Sequence, residues 1–551
     1  MLIKIILNDG QQFDVDVEKG KTAEAIYRDL NVVSEHQILL CKVNNSYRSL
    51  CHKITHNCTL EYLDMRNNYA WLVYQSGLIL LYKKAVNDVM GNVKVEILNS
   101  LNKGLYTIIK ANLTKELVKE IDERMRELVK LDLAIIKEKF SRDNLLKIAR
   151  ASKDDDRVRL LNSLDNLKDI EIYSLDNLKE LFYTIMVPST RYLNKFELIK
   201  YRNGVLLRYP HISDPNMMPI YEDQKLLYDA FSEANHWSKL MNVMSVADLN
   251  QKIVNNDYGD LIMLQEALHE KKISDIADRI KYENKRIILI SGPSSSGKTS
   301  FAKRLCIQLR VIGLKPLYLG TDDYFVEREE TAIDENGEKD FESIKAVDTK
   351  LFNRQMNDLL NGLKVDIPRF DFIDGTKVFG ERIISIDRNQ PIVIEGIHAL
   401  NEILTKDIDD KDKFKIYISP LTSQCIDDLN RIPTTDARML RRLVRDYRFR
   451  GRDAKHTIDD WPKVRKGEDQ NIFPYIGEAD VFFNTNYLYE IAVLKKYAEP
   501  LLNEVTANDQ EYAEAQRMLS FLRFFNKIED DSMIANNSIL REFIGGSVIV
   551  K

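Results

Sequence analysis

Arg286-Ile-Ile-Leu-Ile-Ser291 runs straight into Gly292-Pro-Ser-Ser-Ser-Gly297-Lys298-Thr299, and a helical stretch follows from Ser300 to Leu309. The apolar run reads as a buried strand, and strand–loop–helix is the context a phosphate-binding loop requires. Gly292 and Gly297 allow backbone angles that turn successive N–H groups inward around an anion. The helix N-terminus adds partial positive charge. This spacing predicts that Gly292, Ser294, Ser295, Ser296, Gly297, Lys298, Thr299 and Ser300 line a nucleotide cradle. Lys298 is expected to reach the β- and γ-phosphates and Thr299 to offer its hydroxyl to Mg²⁺, so ATP and Mg²⁺ are the expected cofactors.

Two acidic positions follow at strand ends. Lys315-Pro-Leu-Tyr-Leu-Gly leads into Thr321-Asp322-Asp323-Tyr324-Phe325, and Pro391-Ile-Val-Ile leads into Glu395-Gly396-Ile-His398. In α/β proteins ligands bind at the carboxyl ends of the strands. A phosphotransferase needs a carboxylate there to accept the proton of the attacking hydroxyl. Asp322 and Asp323 both compete for that role on sequence grounds. Further on, residues 436–455 hold seven Arg, one Lys and three Asp. Arg438, Arg441, Arg442 and Arg445 recur at helical spacing, with Leu440, Leu443, Val444 and Tyr447 on a packing face. Guanidinium forks match phosphate oxygens, although an RNA-binding helix would look similar in isolation.

The order of these elements resembles the uridine kinase/phosphoribulokinase family. Thr321-Asp322-Asp323-Tyr324-Phe325 is similar to its Asp-x-aromatic-aromatic element, and the resemblance makes Asp322 the base. Glu395-Gly-Ile is similar to its Glu-Gly-Ile element, which implies that Glu395 joins Thr299 at Mg²⁺. Asp340-Phe-Glu342 resembles a stretch whose carboxylate holds ribose hydroxyls, which puts that role on Glu342. Val365-Asp-Ile-Pro-Arg-Phe370-Asp371-Phe resembles the segment beside the base; the family's Tyr is Phe370 here, and a following His is Gly375. Residues 436–452 match every fixed position of the family's arginine lid. Carried over, Arg442 and Arg452 face the substrate, while Arg445 and Arg450 face ATP phosphates. Catalysis is then expected from Asp322, Lys298 and Arg442.

The rest of the chain sets the context. At 551 residues it has room for about three to five domains. A net charge of −5 gives no global reason to expect nucleic-acid binding, so any basic site must be local. No run approaches a membrane span of about 18 apolar residues. Five cysteines, an odd number in a long chain, do not suggest a disulfide framework; a cytoplasmic protein is expected. Within Cys51-His-Lys-Ile-Thr-His56-Asn-Cys58, strand alternation would split any zinc ligands between two faces.

Residues 1–64 alternate as short strands around an Asn8-Asp9-Gly10 hairpin signal and resemble the β-grasp TGS domain of threonyl-tRNA synthetases. Residues 65–225 resemble the second additional domain of those synthetases. Three of that domain's four ligand positions fall on Gln75, Ile79 and Leu207, and only His211 remains. Residues 226–284 read as a charged helical connector, 285–500 as an α/β P-loop kinase domain with a parallel sheet, and 501–551 as a helical segment. The reading is an ATP-dependent kinase acting on a nucleoside-like acceptor. A phosphoribulokinase-type sugar-phosphate kinase is the nearest alternative. A regulator whose front domains bind a tRNA-like partner comes from another class. Self-association fits all three.

Overall fold

The computed structural model describes residues 1–31, 34–151, 154–164, 169–333, 337 and 339–550. Its centre of gravity for function is a five-stranded, all-parallel sheet. The strand order is Leu317–Gly320, Ile392–Glu395, Ile287–Ser291, Lys413–Ser419, Val481–Asn484. Ile287, Ile288, Leu289 and Ile290 are all fully buried, as a central parallel strand requires. The register sets Ile290 beside Glu395, and Glu395 beside Gly320. Three chain reversals therefore leave the same edge of the sheet next to one another.

Two glycines are there because the backbone passes too close for a side chain. A Cβ at Gly292 would stand 2.3 Å from the Ile418 carbonyl oxygen, and one at Gly396 would stand 1.8 Å from Thr321 Oγ1. The second clash would push apart the turns that carry Glu395 and Asp322.

Helix Lys298–Val311 follows the loop and packs against helix Gly259–Tyr282, where Arg304 Nη2 meets Glu270 Oε2 at 2.6 Å. Residues 226–284 thus do more than connect. Leu261, Ile262, Ile273, Ile276, Ala277 and Ile280 belong to the same apolar core as the P-loop helix.

The front of the chain builds its own layers. Strands are ordered Gln12–Asp16, Leu2–Ile6, Thr59–Asp64, Ile38–Val43, Ser46–Arg48 in a mixed sheet, with helix Ala23–Asp29 capped by Thr22. Helix Asn68–Met90 is buried along most of its length, and Trp71 to Leu81 lies inside it. Helix Lys115–Lys130 buries Val118, Ile121, Met125 and Leu128 on one face. A four-stranded antiparallel sheet runs Glu197–Tyr201, Gly204–Arg208, Gly104–Ile109, Val95–Leu101. Among the described residues no helix is long and apolar enough to cross a membrane.

Helix Thr434–Arg450 carries the arginine cluster and buries Leu440, Leu443 and Val444 as expected. Tyr447, expected on that packing face, is instead exposed. Of residues 501–551, the end of helix Glu490–Asn503, helix Tyr512–Leu522 and the short Arg541–Ile544 are helical; the other described residues there lie in turns and loops. Two lid-helix arginines are wholly interior. Arg441 has no exposed side-chain surface and pairs with Glu490, equally buried, with Nη2–Oε2 at 2.6 Å; it also donates to the Thr485 carbonyl at 2.8 Å.

Removing one partner of such a pair strands a charge in low dielectric, at a cost of about 3–5 kcal/mol. Glu490→Ala is therefore expected to lower unfolding stability by that amount in urea titration. A loss below about 1 kcal/mol would show that the pair does not anchor the lid helix.

Candidate active site

The cradle begins with an unusual backbone. Ser295 has φ +60° and Gly297 has φ +86°, two left-handed residues within three positions. Gly297 stands at the N-cap of the helix with no side chain to satisfy the first N–H groups, which leaves them for an anion. Lys298 Nζ folds back to donate to the carbonyls of Gly292 at 2.8 Å and Pro293 at 3.2 Å. Burial lowers the Lys298 pKa, and Glu395 and Asp322 hold it up.

Thr299 Oγ1 donates to Glu395 Oε1 at 3.1 Å, and the Tyr318 hydroxyl donates to the same oxygen at 3.1 Å. Burial raises the Glu395 pKa against the opposing pull of Lys298. One hydroxyl and one carboxylate, with phosphate oxygens completing the shell, is the ligand set Mg²⁺ uses in phosphotransfer sites. The donor chemistry of Thr299 and Glu395 fits that ion. Among the described residues no group of three or more His, Cys, Asp or Glu side chains is placed to hold a metal.

The two adjacent aspartates separate cleanly. Asp323 Oδ2 is engaged by Arg382 Nη2 at 3.0 Å. Asp322 has only a weak contact from Thr321 Oγ1 at 3.5 Å. Asp322 is exposed, unlike the neighbouring Thr321 and Tyr324. Desolvation by the surrounding protein raises the Asp322 pKa, helped by the Asp323 charge, and Lys298 pulls the other way.

Glu342 lies against helix Ala454–Asn471, where a Cβ at Gly467 would come within 3.0 Å of its Cβ and Cγ. The next residue, Glu468, is only 1 % exposed and joins three elements. It accepts the Ser294 backbone N–H at 2.9 Å, Arg438 Nη2 at 2.6 Å and Arg465 Nη1 at 2.8 Å. Nothing in the spacing of the sequence singles out Glu468 for the loop, because the partners that tie it to the P-loop and the arginine helix lie 174 and 30 positions away.

The lid arginines do not act as one face. Arg438 and Arg441 are spent on buried carboxylates. Arg442 Nη1 donates to Ser294 Oγ of the loop at 2.9 Å, and Arg441 Nη1 also reaches the loop, at the Ser295 carbonyl, 3.3 Å away. Arg445 and Arg450 gather on the buried Asp446 at 3.0 and 3.5 Å. Arg452, expected at the substrate, is half-exposed and pairs with Asp460.

Phe370, also expected at the substrate, is 4 % exposed; its ring packs edge-on against Phe325 at 5.6 Å and Phe372 at 5.2 Å. It stiffens the wall rather than forming its open surface. Gly375 has φ +74°, and a Cβ there would strike Arg328, at 2.6 Å from its Cβ. Arg328 holds the hairpin by donating to the carbonyls of Ile373, at 3.2 Å, and Phe372.

In the front half, Gln75 and Ile79 lie one turn apart inside the buried helix, and Leu207 is fully buried on its strand.

A P-loop at the carboxyl end of a parallel sheet, with an exposed aspartate beside it and an arginine helix packed on the loop, defines a P-loop phosphotransferase. The model of the phosphoribulokinase/uridine kinase family matches residues 287–491. The chain is 30% identical over 196 residues to a uridine kinase of Macrococcus caseolyticus, covering 85% of that protein and 35% of this one. Uridine kinases of Ligilactobacillus salivarius and Staphylococcus haemolyticus are each 29% identical, covering 78% and 92% of those proteins and 33% and 38% of this one. The chain belongs to the phosphoribulokinase/uridine kinase family and is a kinase of that family. Residues 1–286 and 492–551 lie outside the match.

Burial holds the Glu342 carboxyl at about 7, helped by the Glu468 charge and opposed by Lys298 and Arg442. The folded chain therefore binds this proton more tightly than the unfolded chain does. Between the ordinary value of 4.5 and about 7 the carboxyl lowers stability as pH rises. Glu342→Gln is expected to gain about 2–3 kcal/mol over wild type on moving from about pH 5 to about pH 8, measured by denaturant unfolding. Equal differences at both pH values would place Glu342 in an ordinary solvated environment.

Proposed function

We propose that this kinase transfers the γ-phosphoryl group of ATP to a sugar hydroxyl of a nucleoside-like acceptor. The observation that carries the reading is the division between the two aspartates: Asp323 is neutralised by Arg382, and Asp322 is exposed near Lys298 with no strong partner among the described residues. A base must be within reach of its proton and not already engaged. In this reading Asp322 accepts the proton of the attacking hydroxyl, and Glu342 holds neighbouring hydroxyls when ionised. Lys298 swings from the loop carbonyls to the transferring phosphate. Arg442, already at the P-loop, covers the charge that develops there. Arg445 and Arg450, gathered on Asp446, are placed to exchange that carboxylate for ATP phosphates when the lid closes. Thr299 and Glu395 would hold Mg²⁺, which supplies charge neutralisation across the β- and γ-phosphates.

The base-facing side is the least nucleoside-like part. A buried Phe370 and a Gly375 occupied from above by Arg328 offer no side-chain hydrogen bonds of the kind that read a base edge. That supports an acceptor held by its sugar with relaxed base preference. It also supports a second reading, since the Arg328 guanidinium would suit an acceptor carrying its own phosphate.

Three measurements test this. Lys298→Ala should abolish turnover without unfolding the chain, and near-normal ATP consumption would refute the P-loop role. Asp322→Asn should lower kcat by about 10²-fold or more, as loss of a general base does. A larger defect from Asp323→Asn would move the base by one residue. kcat/KM across uridine, cytidine, adenosine, inosine and ribulose 5-phosphate should show weak discrimination among the nucleosides. A uridine preference above about 10³-fold would overturn relaxed base reading, since selectivity of that size needs intact polar contacts. Activity on the sugar phosphate alone would establish the second reading.

A further inference from the structure

Residues 531–550 lie beyond the family match, yet they pack against the P-loop, its helix and the arginine helix. Glu542 Oε2 accepts both the backbone N–H of Ser300, at 3.2 Å, and its hydroxyl, at 2.6 Å. Ile539 lies over the P-loop glycine; a Cβ on Gly297 would come within 2.4 Å of its Cγ2. The Phe543 ring lies under the Arg441 guanidinium at 4.9 Å. Gly545 passes beside Arg448 of the lid helix, and Lys303 Nζ donates to the Ile549 carbonyl at 2.9 Å. The segment is pinned at its start. Arg541 binds the carbonyls of Asp531 and Ile534 at 2.7 and 2.9 Å, and Ser538 Oγ meets the Tyr487 hydroxyl at 3.2 Å.

Ser300 is the third residue of a helix whose N-cap is a glycine. Its N–H is one of the groups that a helix start leaves for an anion, and the helix dipole favours negative charge there. A carboxylate already stands on it. A nucleotide phosphate drawn to the same N–H and hydroxyl meets both an occupied donor and a like charge.

We propose that residues 531–550 form an autoinhibitory strap, with Glu542 standing at Ser300 where an ATP phosphate must bind, so that nucleotide entry and release of the strap are coupled. This rests on reading residues 292–300 as the phosphate cradle. ATP then binds only the fraction of molecules with Glu542 withdrawn, and apparent affinity is reduced by that fraction. The geometry suits a sensor: the strap bridges P-loop helix and lid helix, so its release frees both together.

The test is calorimetric binding of ATP and of inorganic tripolyphosphate to the full-length chain, wild type against Glu542→Gln and Glu542→Ala. Both variants are expected to bind both ligands tighter, by about tenfold for Glu542→Ala, the scale of one lost charge-assisted contact. Binding that is unchanged or weaker in both variants overturns the strap. If wild type binds neither ligand and Lys298→Ala behaves identically, the cradle reading itself has failed. A second readout needs no variant. Trypsin cleavage after Arg541 should accelerate several-fold when ATP is added to wild type, because the segment leaves its seat; protection or no change by ATP counts against the strap.

Discussion

The register of three parallel strands is the constraint on which the chemistry depends. Ile290, Glu395 and Gly320 sit side by side. From that line the chain makes three turns at one sheet edge, carrying the P-loop, the Glu395 carboxylate and Asp322. Hydrogen bonds along buried strands fix this spacing, and the close approach at Gly396 leaves no room for it to relax. A slip of one residue in a parallel strand would turn its side chains to the other face of the sheet. Glu395 would then face away from Thr299.

Packing so many acids around one lysine is costly in a buried site, and the protein handles it by pairing. Burial and mutual repulsion raise the pKa values of Asp322, Glu342 and Glu395, and Lys298 opposes all three. Glu468 is deeper than any of them, but it is matched by two arginines and a backbone N–H. Sites of this kind, where burial and neighbouring charge displace several pKa values at once, are where acid–base chemistry is concentrated. Asp322, whose adjacent Asp323 is taken by Arg382, is the proposed base.

How much was legible in the sequence follows the range of the interactions. The cradle, the acidic strand ends and the arginine helix depend on spacings of a few residues, so a linear reading finds them. The division of labour among the arginines does not. Arg438 and Arg441 carry the same side chain as Arg442 and lie on the same helix. Their partners, Glu468 and Glu490, are set by packing 30 and 49 positions away. The same holds for Phe370, whose burial depends on Phe325. The C-terminal segment has the weakest local signal of all. Its short helix Arg541–Ile544 has no periodicity to detect, and only the surface it lies on gives it order.

The front region is tied to the kinase where the lid begins. The loop before helix Thr434–Arg450 pairs with the edge of the front antiparallel sheet: the Ile97 N–H donates to the Asp428 carbonyl at 2.8 Å, and Lys94 reaches Asp428 at 3.1 Å. Asn430 Nδ2 donates to the Leu181 carbonyl at 2.7 Å, and Leu429 is buried in the front core. The other end of the lid helix lies under the C-terminal segment. A helix held at its root by one region and covered at its far turns by another cannot move independently of either. Loops that must close over a substrate are drawn from the less stable parts of a fold. Here the root of the arginine helix is anchored in the front region, so the last turns, from Arg445 onward, are free only as far as the C-terminal segment over Arg448 lets them be. Those turns carry the exposed Tyr447, Phe449 and Arg450, and the helix ends at the left-handed Gly451.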